Sequence, residues 1–88
     1  MDPRRAVETD VTGIVTKLLA RHTRSEEQWV LPARSLDELR VDLLALVEIV
    51  TYLEARFGLS ISGEDALGWR TVADIIEFVD ARAGNQAA

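Results

Sequence analysis

Between Asp42 and Gly58 runs a segment, 43–57, without glycine or proline, in which Leu46, Ile49, Val50, Leu53 and Phe57 share one side at about 100° per residue. Asp42 stands at the N-cap position and Gly58 where a left-handed residue ends a helix. A helix with so clear an apolar stripe must bury it against something. Two other segments supply partners. Val11, Ile14, Val15, Leu18 and Leu19 recur at i, i+3, i+4, i+7 and i+8, which predicts a helix capped by Asp10 and ending near His22. Asp2-Pro3 also permits an earlier start. Val72, Ile75, Ile76 and Val79 predict a last helix, entered through Thr71 and Asp74 at capping-box spacing. Ser62 and Asp65 repeat that spacing and predict a short helix through Leu67, and Ser35 with Glu38 predicts a helical turn at 36–39. Residues 23–34 are polar, carry Pro32 and read as a long loop, with Trp29, Val30 and Leu31 plugging the core. No segment shows strand alternation. The expected fold class is all-α, a small four-helix bundle of three main helices and one short one. It forms a single domain over 1–88, with its core at about 7–82 and a frayed tail at 83–88. Leu46, Ile49, Leu53, Phe57, Val72, Ile76 and Val79 are expected inside, with Ile14, Leu18 and the two tryptophans, Trp29 and Trp69.

Composition removes several kinds of chemistry. There is no cysteine, so thiolate catalysis, disulfides and zinc-thiolate sites are out, and His22 is the one histidine, so a multi-histidine metal site is out too. His22 itself reads as a solvated residue at a helix C-terminus, favoured there by the dipole. Glu64 and Asp65 are adjacent, point different ways on a helix and read as caps rather than a catalytic pair. The chain is not expected to be an enzyme. No apolar run is long enough to span a bilayer, and no apolar stretch follows Arg4 and Arg5, so no membrane contact and a cytoplasmic location are expected. The net charge of −5 is uneven: residues 1–36 sum to +1, while 37–58 and 59–88 each sum to −3. That acidic surface argues against nucleic acid and attracts basic proteins, or simply keeps a small domain in solution.

On segment 43–57, the residues away from the core stripe are unusual. Leu44, Val47 and Thr51 form an apolar line, Glu48 lies beside it, Glu54 near its edge, and Asp42 just before the helix. Scattered apolar residues are common on surfaces. A strip rimmed by acids is better suited to docking a partner. Tyr52 falls on the polar side, as a partner contact or simply exposed.

The ordered segments together resemble the acyl carrier proteins and peptidyl carrier domains. The run Ala33-Arg-Ser-Leu-Asp-Glu-Leu-Arg-Val-Asp-Leu-Leu44 is similar to the family's approach to its modified serine, with Leu39 four places before the attachment position. Val47-Glu48-Ile49-Val50, Leu53-Glu54 and Phe57-Gly58 resemble its recognition helix. Ile61, Glu64-Asp65-Ala66, Arg70-Thr71-Val72 and Asp74 resemble its third helix and the start of its fourth. The spacing holds without a gap from about Ala33 to Val79.

The resemblance implies a serine bearing 4′-phosphopantetheine, in an Asp-Ser-Leu motif. This chain reads Asp42-Leu43-Leu44, with Leu43 at the serine position, fourteen residues before Phe57. A leucine has no oxygen for a phosphodiester, and Ser35, Thr51, Ser60 and Ser62 are out of register. The expectation is therefore of no cofactor, despite the family's habit. Arg40 also replaces the glycine usual before the motif, and Ala45, Thr51 and Ala55 depart from the family's residues. The expected function is that of an atypical carrier-like domain. It would be a monomer that binds or scaffolds basic-surfaced enzymes, such as a ketosynthase or acyltransferase, in fatty-acid, polyketide or peptide biosynthesis. Its expected partner-binding residues are Asp42, Leu43, Leu44, Val47, Glu48, Thr51 and Glu54. Two alternatives stand beside it: a protein that holds an acyl chain or small ligand non-covalently, and a working carrier whose serine has been replaced in this chain.

Overall fold

The computed structural model describes residues 10–87 and places four α-helices in chain order. They are α1 (Val11–Thr23), α2 (Leu43–Phe57), α3 (Gly63–Leu67) and α4 (Val72–Ala87), with a 3-10 turn at Glu27–Trp29 between α1 and α2. The expected earlier start at Asp2-Pro3 lies outside the described residues. Asp10 caps α1 by accepting from the Gly13 N–H at 2.9 Å. Asp42 does the same for α2 through the Ala45 N–H at 2.8 Å, and Gly58 ends α2 at φ 67. Ser62 and Asp65 form a reciprocal capping box on α3. Thr71 and Asp74 form its counterpart on α4, where Asp74 also accepts from the Arg70 N–H at 2.8 Å. Those backbone N–H groups of Arg70 and Thr71 hold the Asp74 carboxyl below its ordinary pKa.

α1 packs against α4 and α2, and α2 against α4. Val15, Leu19, Ile49, Leu53, Val72, Ile75 and Val79 are fully enclosed where these helices meet. The loop after α1 is tied to the start of α4 by three backbone bonds: Leu36 N–H to the Arg70 carbonyl, Val72 N–H to Arg34 and Ala73 N–H to Pro32. That seam carries the one antiparallel bridge among the described residues, between Ser35 and Thr71. It seats Leu36 and Leu39 in the core. Ser35 and Glu38 exchange bonds at 2.9 Å each, closing the expected turn.

Several packing expectations need correction. Val30 is buried, but its neighbours Trp29 and Leu31 are 53% and 50% exposed. A tight turn cannot aim three consecutive side chains inward, and Val30 takes the inward place. The Trp29 ring instead lies under the Arg34 guanidinium, 5.6 Å from its centroid. Trp69 is buried as expected, edge-on to Phe78 at 5.4 Å. Leu46, Phe57 and Ile76 are only partly buried and Ile75, not Ile76, fills the centre. The described backbone of α4 runs helically to Ala87, into the segment expected as the tail. His22 is not simply solvated. It is half-buried, with Nδ1 3.0 Å from the Leu18 carbonyl and Nε2 3.8 Å from Glu48 on α2.

Candidate functional site

The N-terminal half of α2 is the most apolar exposed surface of the described residues. Leu43 is 67% exposed, Leu44 69% and Val47 53%, and all three precede the point where α2 turns its stripe fully into the core at Ile49 and Leu53. The helix is held in place by its capped ends and by that buried stripe, so these outer residues are not needed to form it. Leu67, at the end of α3, is 70% exposed and extends the same surface across a small gap.

Beneath the surface lies a cavity of about 170 Å³ lined by Leu43, Leu46, Val47, Val50, Ser62, Gly63, Ala66 and Leu67. Its walls are hydrocarbon, save for the backbone and Ser62, whose hydroxyl is occupied in accepting from the Asp65 N–H at 2.9 Å. The cavity exists because α3 is too short to cover the full flank of α2. Leu46 and Val50, on the edge of the core stripe, become its floor and are therefore only partly buried.

The seven residues expected to bind a partner do not all meet. Asp42, Leu43, Leu44, Val47, Glu48 and Thr51 are exposed on the first half of α2 or at its cap. Thr51 spends its hydroxyl on the Val47 carbonyl at 2.9 Å, so it offers that surface a methyl group. Glu48 reaches back toward His22 at 3.8 Å. Glu54 turns away: its carboxylate accepts from the Ile61 N–H at 2.9 Å and pins the link between α2 and α3. Leu67 was not foreseen. Its signal was an apolar residue just before Gly68, but a five-residue helix is too short for periodicity to say which way it faces. Of the acidic pair, Glu64 is exposed, while Asp65 completes the α3 cap and lies 3.9 Å from Arg82. Among the described residues, no three histidine or acidic side chains are grouped to hold a metal. No described helix is long and apolar enough to cross a membrane.

A family model described as "Phosphopantetheine attachment site" matches residues 11–79, from the first residue of α1 to the buried Val79 of α4. The chain belongs to the acyl carrier protein family. Family relatives include the meromycolate extension acyl carrier protein of Mycolicibacterium smegmatis (strain ATCC 700084 / mc(2)155). It is 31% identical over 75 residues, covering 84% of this chain and 76% of that protein. The protein of the same name from Mycolicibacterium aurum is also 31% identical over 75 residues, covering 84% of this chain and 77% of its own length. An acyl carrier protein is a carrier for biosynthetic enzymes, and that is the coarse function of this chain.

The match corrects the expectation of no cofactor. The family is defined by phosphopantetheine attachment, so the group belongs with this fold and the chain is not to be read as cofactor-free. The start of α2 nonetheless does not fit covalent attachment. Residues 42–46 are Asp, Leu, Leu, Ala and Leu, with no hydroxyl among them. Across the cavity Ser62 has its oxygen engaged in the α3 cap.

Proposed function

We propose that this acyl carrier protein is a cytoplasmic, non-catalytic component that docks onto basic-surfaced enzymes of a fatty-acid, polyketide or peptide biosynthetic system, with contacts centred on Leu43. One observation supports this above the others. Leu43, Leu44 and Val47 are apolar and more than half exposed, with Asp42 and Glu48 at their edge. A folded domain gains nothing from exposing three such side chains in a row, whereas a partner that covers them gains about 1.5–3 kcal/mol for each large one fully buried. The acidic edge speeds encounter with a basic surface and makes the rate fall with added salt. Binding to a ketosynthase or acyltransferase encoded beside this gene, followed by calorimetry, tests the proposal. Val47→Arg is expected to weaken binding at least tenfold in a domain that still folds, and Glu48→Lys to slow association mainly. Equal affinity for wild type and Val47→Arg would contradict it.

A second reading has its own support in the hydrocarbon-walled cavity between α2 and α3. That space suits the end of an acyl chain held without a covalent arm. Added free fatty acid would then shift the methyl signals of Leu46, Val50 and Leu67 with no partner protein present.

A further inference from the structure

A second hollow lies between α1 and α2, lined by Ile14, Lys17, Leu18, Arg21 and Tyr52, with a volume of about 130 Å³. It shares no residue with the cavity under Leu43. The two helices run antiparallel here, because His22 near the end of α1 meets Glu48 early in α2, while Tyr52 further along α2 meets Ile14 and Leu18. The floor is apolar: Leu18 is buried and Ile14 half-buried. The rim is cationic. Lys17 is the chain's only lysine, and Arg21 follows it one helical turn later on the same face. Arg56 follows Tyr52 by one turn on α2, but its guanidinium lies over the Phe57 ring, 5.5 Å from the centroid, so Lys17 and Arg21 alone supply the cations that line the hollow. Glu48, one turn before Tyr52, points its carboxylate toward His22 at 3.8 Å. On a chain whose net charge is −5, this is a local concentration of positive charge around an apolar hollow.

We propose that this hollow binds a small organic anion with an apolar body, namely an aryl or short alkyl carboxylate. The volume sets the size. A dry cavity of roughly 150 Å³ accepts a benzene ring, so the hollow takes one ring or a chain of similar bulk. The chemistry sets the charge. Ile14, Leu18 and the face of Tyr52 cover hydrocarbon, while the Lys17 ammonium and the Arg21 guanidinium supply donors to a carboxylate at the rim. A neutral compound of the same shape leaves those cations unused, and a bare inorganic anion leaves the apolar floor uncovered. An occupant this small binds weakly, with a dissociation constant on the order of 1 mM.

The test is a titration of the full chain with benzoate and with octanoate at constant ionic strength, followed by backbone amide shifts. Benzyl alcohol and inorganic phosphate serve as matched controls. The expected result is saturable shifts across residues 14–21 and at Tyr52 with the carboxylates, at least tenfold weaker with benzyl alcohol and unsaturable with phosphate. Replacing both cations, Lys17→Gln with Arg21→Gln, is expected to weaken benzoate at least tenfold. Both positions are exposed, so the fold should survive, as an unchanged amide spectrum without ligand would verify. Equal binding of benzyl alcohol would overturn the proposal. So would shifts confined to Leu43, Leu46, Val50 and Leu67, or a double variant that binds as the wild type does.

Discussion

Arg40 sits at φ 60, a left-handed conformation that a residue with a Cβ adopts at a cost. It is needed there: its N–H closes a turn on the Asp37 carbonyl at 3.0 Å, and the Val41 N–H returns to Leu36, setting the chain on course for Asp42 and α2. The Arg40 side chain is exposed and makes no ion pair or hydrogen bond among the described residues. Arg40→Gly therefore removes strain without removing an ion pair or side-chain hydrogen bond among the described residues. The left-handed penalty is about 1–2 kcal/mol, and the extra freedom of glycine in the unfolded chain takes back about 0.5–1 kcal/mol. The net expectation is a gain of about 0.5–1 kcal/mol. For a domain of this size that raises Tm by roughly 2–8 °C. Thermal unfolding followed by circular dichroism measures it, with Arg40→Ala as the control that removes charge and length but keeps the Cβ. A Tm for Arg40→Gly at or below wild type would refute the strain argument. Equal gains in Arg40→Gly and Arg40→Ala would show that the side-chain charge, and not the backbone, was responsible.

Leu53→Ala empties a fully enclosed site between α2 and its neighbours and should cost about 2–5 kcal/mol, much of the stability of so small a domain, read as a large fall in the urea midpoint. Asp74→Asn should destabilise by about 1 kcal/mol at neutral pH. The folded carboxyl titrates below its unfolded value, so its contribution is present above about pH 4 and fades as pH falls through the folded value. Urea midpoints of wild type and Asp74→Asn should therefore converge at low pH, and a gap that widened there would reverse the assignment. Leu43→Ser places a hydroxyl at the start of α2, and incubation with a phosphopantetheinyl transferase and coenzyme A should then add one phosphopantetheine to the peptide containing position 43, read by intact and peptide mass. No addition at that peptide would mean that the transferase does not recognise this surface.

The helices were legible because each carries both a period and a boundary. Asp10, Asp42 and Gly58 mark ends through single-residue chemistry, and the stripes of α1, α2 and α4 are long enough to fix a face. The loop was harder. Which of Trp29, Val30 and Leu31 turns inward depends on the 3-10 turn and on the backbone seam to Arg70, and neither leaves a periodic trace. Arg40 was visible as a departure from the family's glycine, but only its φ shows what that departure costs. On the proposed docking surface, the exposure of Leu43, Leu44 and Val47 followed from their lying opposite a clear core stripe. The bond from the Ile61 N–H to Glu54 was not legible, because it comes from a link whose course the sequence does not specify. The cavity was invisible for a similar reason: it arises from the mismatch between a long α2 and a short α3, a property of packing rather than of either segment alone.

The docking claim is tested most directly by mapping where a partner enzyme touches the isotope-labelled chain. A ketosynthase or acyltransferase from the same gene cluster is added stepwise at low and high salt, and amide shifts and broadening are recorded residue by residue. Perturbations are expected to centre on residues 42–48 and Leu67, to weaken as salt rises, and to be lost in Val47→Arg. Perturbations confined to α1 or to α4, with the first half of α2 silent, would contradict it.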